Sequence, residues 1–257
     1  MDAIQSPQNA QFKAMRKLAE NRRERLKTGQ TLLDGAHLLS AWLDAGRAVQ
    51  KVFLTQEGLA DPEICGLLAR TAAQQVLLDT ALFAQLTELP SPSGVLALVE
   101  IPESGKPRGD GFCLLLDGVQ DPGNVGSMLR TAVAAGVDQV LLSSGCADVW
   151  SPKTLRAGMG AQAVLDIVER ADLSGFADRF QGRIATTLLD GSTDLYATDL
   201  TGSLALVFGA EGAGVSPEMA AKANVRLRIP MAAGIESLNV AAAAAICLYE
   251  RVRQTRP

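Results

Sequence analysis

Three segments in the second half of this 257-residue chain combine glycine with polar side chains in a way that can hold a ligand. The first runs Asp117-Gly118-Val119-Gln120-Asp121-Pro122-Gly123-Asn124 and feeds a helical pattern that contains Arg130. The second is Phe208-Gly209-Ala210-Glu211-Gly212-Ala213-Gly214. The third spans residues 229–239, IPMAAGIESLN, and holds Ile229, Met231, Ser237, Leu238 and Asn239. Each follows an apolar strand pattern, and open α/β sheets bind ligands at the carboxyl ends of their strands. Glycine there lets the backbone approach a ligand and present N–H donors. Taken singly, each loop could equally be an ordinary strand-to-helix turn, with Asn124 or Ser237 as a helix cap. Three such loops in one region, all ending in polar residues, favour a shared site.

Several chemistries are excluded. Gly209, Gly212 and Gly214 have the wrong spacing for a dinucleotide fingerprint, and no Gly-Lys-Ser/Thr phosphate loop is present. His37 is the only histidine, which rules out a His-rich metal site and leaves no other base for a serine triad. Its setting, Ala36-His37-Leu38-Leu39, reads as a helix start. Cys65, Cys113, Cys146 and Cys247 are widely spaced, with no CxxC, and read as reduced core thiols of a cytoplasmic protein. No metal site and no membrane span are expected; the apolar run 241–245 is short and ends in Tyr249, Glu250 and Arg251.

The elements needed to position the loops follow from periodicity. Residues 9–27 read as one helix, with Phe12, Met15, Leu18 and Leu26 among basic residues. Strands are expected at 31–34, 51–55, 76–79 and 95–99, with helices at 37–43, 62–73 and 81–88 between them. Residues 1–100 thus form a small α/β domain. Residues 101–111, IPESGKPRGDG, read as a linker. Residues 112–257 form a second α/β domain, with strands at 112–116, 139–142, 164–168, 184–189, 204–208 and 225–229. Helices are expected there at 124–135, 154–159, 173–180, 217–223 and 238–253. Apolar strands separated by helices imply a mostly parallel sheet covered on both faces.

Charge is unevenly placed. Residues 1–30 hold seven basic residues against three acidic ones, a net of +4. The rest of the chain therefore carries −8, given a formal net charge of −4. Lys13, Lys17, Arg22, Arg23 and Arg25 are the candidate phosphate-binding residues of such an arm. A solvated helix face is the competing reading.

The three loops resemble the three motifs of the SpoU (TrmH-like) RNA ribose methyltransferases, of the SPOUT class. The first matches as DPGNVGSMLRTAVAAG, residues 121–136; the second as LVFGAEGAGVS, residues 206–216; the third as IPMAAGIESLNVAAAAAICLYE, residues 229–250. Ser151-Pro152-Lys153 with Arg156 is also similar to the family, although Gly158 stands where relatives often have serine. Residues 1–100 resemble, more weakly, the small RNA-binding domain often attached to it, through Ile4-Gln5-Ser6, Asn9, Arg25, Asp34-Gly35 and Pro92-Ser93-Gly94-Val95.

The resemblance implies a deep trefoil knot, a homodimer, and S-adenosylmethionine bound in a bent shape near Leu188, Gly209, Ile229, Met231 and Leu238. It assigns Asn124, Arg130, Glu211, Ser237 and Asn239 to catalysis. The implied reaction is methylation of a ribose 2′-hydroxyl in structured RNA, with 23S ribosomal RNA ahead of transfer RNA. A non-catalytic RNA-binding or ribosome-assembly factor on the same fold is the competing class.

Overall fold

The computed structural model describes residues 2–188, 191–234 and 237–256. Leu189, expected to end a strand, and Ile235 and Glu236 of the third loop lie outside the described residues. The chain forms two compact units: residues 1–103 with 150–163, and residues 104–149 with 164–257.

The first unit contains β1 (Asp2–Ile4), α1 (Ala10–Glu20), α2 (Arg22–Thr28), β2 (Gln30–Asp34), α3 (Ala36–Asp44), β3 (Lys51–Leu54), α4 (Gln56–Ala60), α5 (Pro62–Leu68), β4 (Gln74–Leu78), α6 (Thr80–Phe83) and β5 (Val95–Glu100). Its five-stranded sheet has the order β1-β4-β3-β5-β2, parallel among β1, β4 and β3 and antiparallel where β5 meets β3 and β2. Phe12, Met15 and Leu18 recur at helical spacing on α1 and pack with Ile4, Phe53 and Phe83 in one core. Each such buried side chain contributes roughly 1.5–3 kcal/mol.

The expected helix over residues 9–27 is two. Asn21 is extended (φ −126°, ψ 110°), ends α1, and caps α2 by accepting the Arg23 N–H. Helical periodicity continues across such a break, so the apolar pattern alone does not reveal it. His37 is the second residue of α3 and is exposed.

The second unit contains β6 (Phe112–Asp117), α7 (Pro122–Ala135) and β7 (Gln139–Leu142). The chain then leaves it to form α8 (Pro152–Gly158), and returns for β8 (Asp166–Val168), α9 (Leu173–Arg179), β9 (Arg183–Thr187), β10 (Thr193–Asp194), β11 (Leu204–Gly209), α10 (Pro217–Lys222), β12 (Val225–Arg228) and α11 (Val240–Thr255). The excursion is the segment Trp150–Ala163, which packs in the first unit although it follows the linker in sequence. Thr31 Oγ1 donates to the Trp150 carbonyl at 2.8 Å and Arg47 Nε to the Ala163 carbonyl at 2.9 Å, so both ends of the segment are pinned. Conversely, part of the expected linker packs into the second unit. The Gly105 N–H donates to Asp166 and the Arg108 N–H to Gln139.

All seven strands of the second sheet are parallel, in the order β10-β12-β9-β11-β6-β7-β8. One face packs with α9 and α10 around Phe176, Ile184, Val207 and Met219. In the same unit, α7 and α11 pack on each other. The strands β12, β9, β11 and β6 are consecutive in this sheet, so the chain segments leaving their carboxyl ends lie side by side. Sheet order is what gathers the three glycine-bearing loops.

Caps differ from the turn readings. Asp121, not Asn124, caps α7 by accepting the Asn124 N–H at 2.9 Å. Asn239, not Ser237, caps α11 by accepting the Ala241 and Ala242 N–H groups at 2.9 and 3.2 Å. Cys113, Cys146 and Cys247 are buried, whereas Cys65 is exposed on α5 rather than in a core; all four are free thiols. Among the described residues, no helix is long and apolar enough to cross a membrane. No group of three or more His, Cys, Asp or Glu side chains there is placed to hold a metal.

Candidate active site

A chain of hydrogen bonds joins all three loops. The Glu211 carboxylate accepts the Gln120 and Asp121 N–H groups at 3.2 and 3.1 Å and the Asn124 side-chain amide at 2.9 Å. Asn124 in turn accepts Asn239 Nδ2 at 3.0 Å. Asn239 uses its remaining oxygen to cap α11. Glu211, Asn124 and Asn239, one from each motif, therefore fix one another's rotamers before any ligand arrives. Burial raises the Glu211 pKa, but hydrogen bonds from Asn124, its own backbone, Gln120 and Asp121 lower it further, so the carboxyl sits below its ordinary range.

The second loop is closed tightly at its base. Ala210 and Gly214 exchange backbone hydrogen bonds at 2.9 and 2.8 Å. A Cβ at Gly209 would lie 2.0 Å from the Gly214 carbonyl carbon, so only glycine permits this closure. Asp117, at the end of β6, accepts the Ser216 N–H at 2.8 Å and ties the other end of the loop down.

Two adjoining cavities open at these strand ends. The larger, about 690 Å³, is lined by Leu188, Ile229, Met231, Ser237 and Leu238 together with Thr187, Leu227 and residues 212–214. The smaller, about 390 Å³, is lined by Gly209, Glu211, Ser237 and Asn239, and shares Thr187, Gly214, Ser237, Leu238 and Ala243 with the first. Met231 and Leu238 are 36% and 38% exposed, so two large apolar side chains face the cavity without being covered by other residues.

The structure brings together Asn124, Glu211, Ser237 and Asn239 with Leu188, Gly209, Ile229, Met231 and Leu238. Arg130 is not among the cavity linings. It is exposed on α7, six residues beyond Asn124 or about 9 Å along the helix axis, and its guanidinium makes no ion pair or hydrogen bond with another described residue. Two charged cavity residues escape sequence reasoning: Arg226 and Arg228 on β12. Their alternation in Val225-Arg226-Leu227-Arg228 is the signal that could have found them.

In the first unit, Lys13 and Lys17 on α1 and Arg23 on α2 are exposed, and Arg22 is half-buried. Arg25 departs from its expected role at the RNA-facing surface. It is buried, and its guanidinium donates to the carbonyls of Leu18 and Ala19 at the end of α1. The break at Asn21 turns the chain so that this one basic residue caps its neighbour helix and does not face solvent.

Comparison with known proteins agrees with the geometry. Residues 111–249 match the SpoU rRNA Methylase family, and residues 9–97 match the MRM3-like substrate binding domain. The chain is 34% identical over 252 residues to the 23S rRNA (guanosine(2553)-2′-O)-methyltransferase RlmP of Bacillus subtilis, covering 97% of this chain and 98% of the relative. It is 31% identical over 238 residues to the 23S rRNA (guanosine-2′-O-)-methyltransferase RlmB of Pseudomonas putida, covering 86% and 95%. The crystal structure of the SpoU methyltransferase AviRb from Streptomyces viridochromogenes, in complex with AdoMet, superposes with a TM-score of 0.88 at 30% identity, covering 96% of this chain and 98% of that one. An AdoMet-bound rRNA methyltransferase from Sinorhizobium meliloti superposes with a TM-score of 0.85 at 26% identity, covering 100% and 99%. A parallel sheet that gathers three polar, glycine-bearing loops beside an apolar cavity, and matches over nearly the whole length of both units, places this chain in the SpoU rRNA methylase family.

Proposed function

We propose that this protein methylates a ribose 2′-hydroxyl of 23S ribosomal RNA, with Asn124, Arg130, Glu211, Ser237 and Asn239 carrying the reaction. At the coarser level the chain is an S-adenosylmethionine-dependent RNA 2′-O-ribose methyltransferase. The observation that carries the finer reading is the Glu211–Asn124–Asn239 relay, which ties three sequence-distant loops around the cavities. The residues fit the cofactor: a cavity of about 690 Å³ with two exposed apolar side chains and an open glycine backbone suits a nucleoside ligand. Leu188, Ile229, Met231 and Leu238 would hold it, with Gly209 closing the loop beside them.

When bound, S-adenosylmethionine supplies a methyl group activated by its positively charged sulfur. What remains for the protein is alignment of the ribose oxygen and assistance to loss of its proton. Arg130 is a poor proton acceptor, because a guanidinium stays protonated. Its exposed, unpaired fork suits an RNA phosphate next to the target ribose, and it would stabilise negative charge growing on the 2′-oxygen. Glu211 holds the first loop in place, and Ser237 and Asn239 orient the groups around the oxygen. Lys13, Lys17, Arg22 and Arg23 grip phosphates elsewhere on the RNA. The chain acts as a homodimer, knotted at its carboxy-terminal loops, in the cytoplasm.

The test is to map ribose methylations in 23S and transfer RNA from cells with and without this protein. One 23S ribose, with guanosine the first base to examine, should lose its methyl group and regain it on addition of purified protein and labelled cofactor. Loss confined to a transfer RNA would overturn the substrate. Transfer of no methyl to any RNA would make the chain a binding factor.

A further inference from the structure

The cavity beside the three loops carries two cations that a sulfonium ligand does not call for. Arg226 and Arg228 alternate along β12, so both leave the strand on the same face, opposite the buried Leu227. Both line the larger cavity and both are exposed. Neither guanidinium makes an ion pair or hydrogen bond with any described residue. Arg183, Lys222 and Arg253 of the same unit, by contrast, are each ion-paired. Asp194 sits opposite Arg228 in the β10–β12 ladder, but its carboxylate accepts the Tyr196 N–H. Among the described residues lining the two cavities, the one carboxylate is Glu211, already engaged by three donors.

S-adenosylmethionine carries a sulfonium, an ammonium and a carboxylate, and so a single net positive charge. S-adenosylhomocysteine, left after transfer, carries none. Resting on the cofactor reading above, we propose that Arg226 and Arg228 select by charge: they disfavour the sulfonium donor and favour the neutral thioether product, so methyl transfer relieves a repulsion built into the cavity. In that step a lone pair of the ribose 2′-oxygen forms the new O–C bond. The S–C bond breaks with its electron pair left on sulfur, and the hydroxyl proton passes to solvent. Nothing is oxidised or reduced, and the positive charge leaves the cavity as a proton. Water screens two exposed guanidiniums strongly, so their joint effect on binding is on the order of fivefold.

Calorimetric titration of the full-length, cofactor-free protein with S-adenosylmethionine and S-adenosylhomocysteine tests this. In the Arg226→Gln/Arg228→Gln variant, the affinity for the donor relative to the product should rise about fivefold. The Arg226→Lys/Arg228→Lys variant, which keeps both charges, should retain the wild-type ratio. The gap between variants should narrow as salt rises. In turnover, KM for the donor and kcat should both fall in the Gln variant, a pattern that general misfolding would not give. An unchanged ratio in the Gln variant overturns the proposal. So does equal weakening of both ligands with 5′-methylthioadenosine spared, which would make the arginines a clamp for the methionyl carboxylate. Loss of RNA affinity with an unaltered ratio overturns it too. Failure of the wild-type protein to bind either ligand would instead sink the cofactor reading itself.

Discussion

Glu211 holds three donors of the first loop, and its carboxyl lies below the ordinary value of 4.5. A group whose folded pKa is depressed stabilises fully above the unfolded value and loses that contribution as pH falls through the folded one. Titration of Glu211 should therefore leave methyl transfer unaffected from pH 9 down to about 5. A pH–rate profile of Glu211→Gln against wild type checks this: the variant should be slower throughout that range, with no acid limb of the wild type near pH 4.5 or above assignable to Glu211. For Arg130, removing a donor that acts on growing negative charge should cost about 10²–10³-fold in kcat. Cofactor affinity of Arg130→Ala should stay within about twofold of wild type, because the side chain lines neither cavity. Near-wild-type turnover by that variant would refute the role. Asn124, Glu211 and Asn239 were legible through the resemblance of the three motifs, though not their mutual hydrogen bonds. Arg226 and Arg228 were not, because alternating charge on an outer strand reads as an ordinary solvent face.

At the scale of elements, α1 and α2 separate two kinds of basic residue. Lys13, Lys17 and Arg23 are exposed, whereas Arg25 spans from α2 back to the last carbonyls of α1. Replacing the first three by alanine should weaken RNA binding and flatten the dependence of log K on log salt by about 0.7–0.9 for every phosphate no longer neutralised, without lowering Tm. Arg25→Ala should do the reverse. It removes charged donors from buried carbonyls and should cost about 1.5–3 kcal/mol in stability, read by thermal melting, with the salt slope preserved. Amphipathic periodicity revealed the helix but not this division, because nothing in the 3.6-residue repeat reports a single extended residue at Asn21. The strand–helix alternation of the second unit was readable from apolar runs. The order of its strands was not, since adjacency depends on crossovers that local pattern does not encode.

At the scale of the molecule, the segment Trp150–Ala163 makes the first unit discontinuous in sequence. Trp150, Leu155, Ala161 and Ala163 are buried there, and Arg156 pairs with Glu88 at 2.6 Å and lies 3.7 Å from Asp34. A truncated chain of residues 104–257 should therefore expose these apolar groups and aggregate, while one in which a short polar linker replaces 150–163 should stay monodisperse in gel filtration and still bind S-adenosylmethionine by calorimetry. Equal behaviour of the two would show that the segment does not need its first-unit neighbours. Contiguity alone puts this stretch in the second domain, because no local residue pattern reports which unit a segment packs in. The same embedding governs the timing of synthesis. When residue 103 leaves the ribosome, all five strands of the first unit's sheet have been made, yet the surface at β2 that α8 covers stays bare until about 60 further residues have been made, roughly 3–12 s at ordinary translation speed. During that interval the nascent protein shows apolar surface to the cell, and a synonymous change that stalls the ribosome between β7 and α8 would lengthen the exposure without altering a single amino acid.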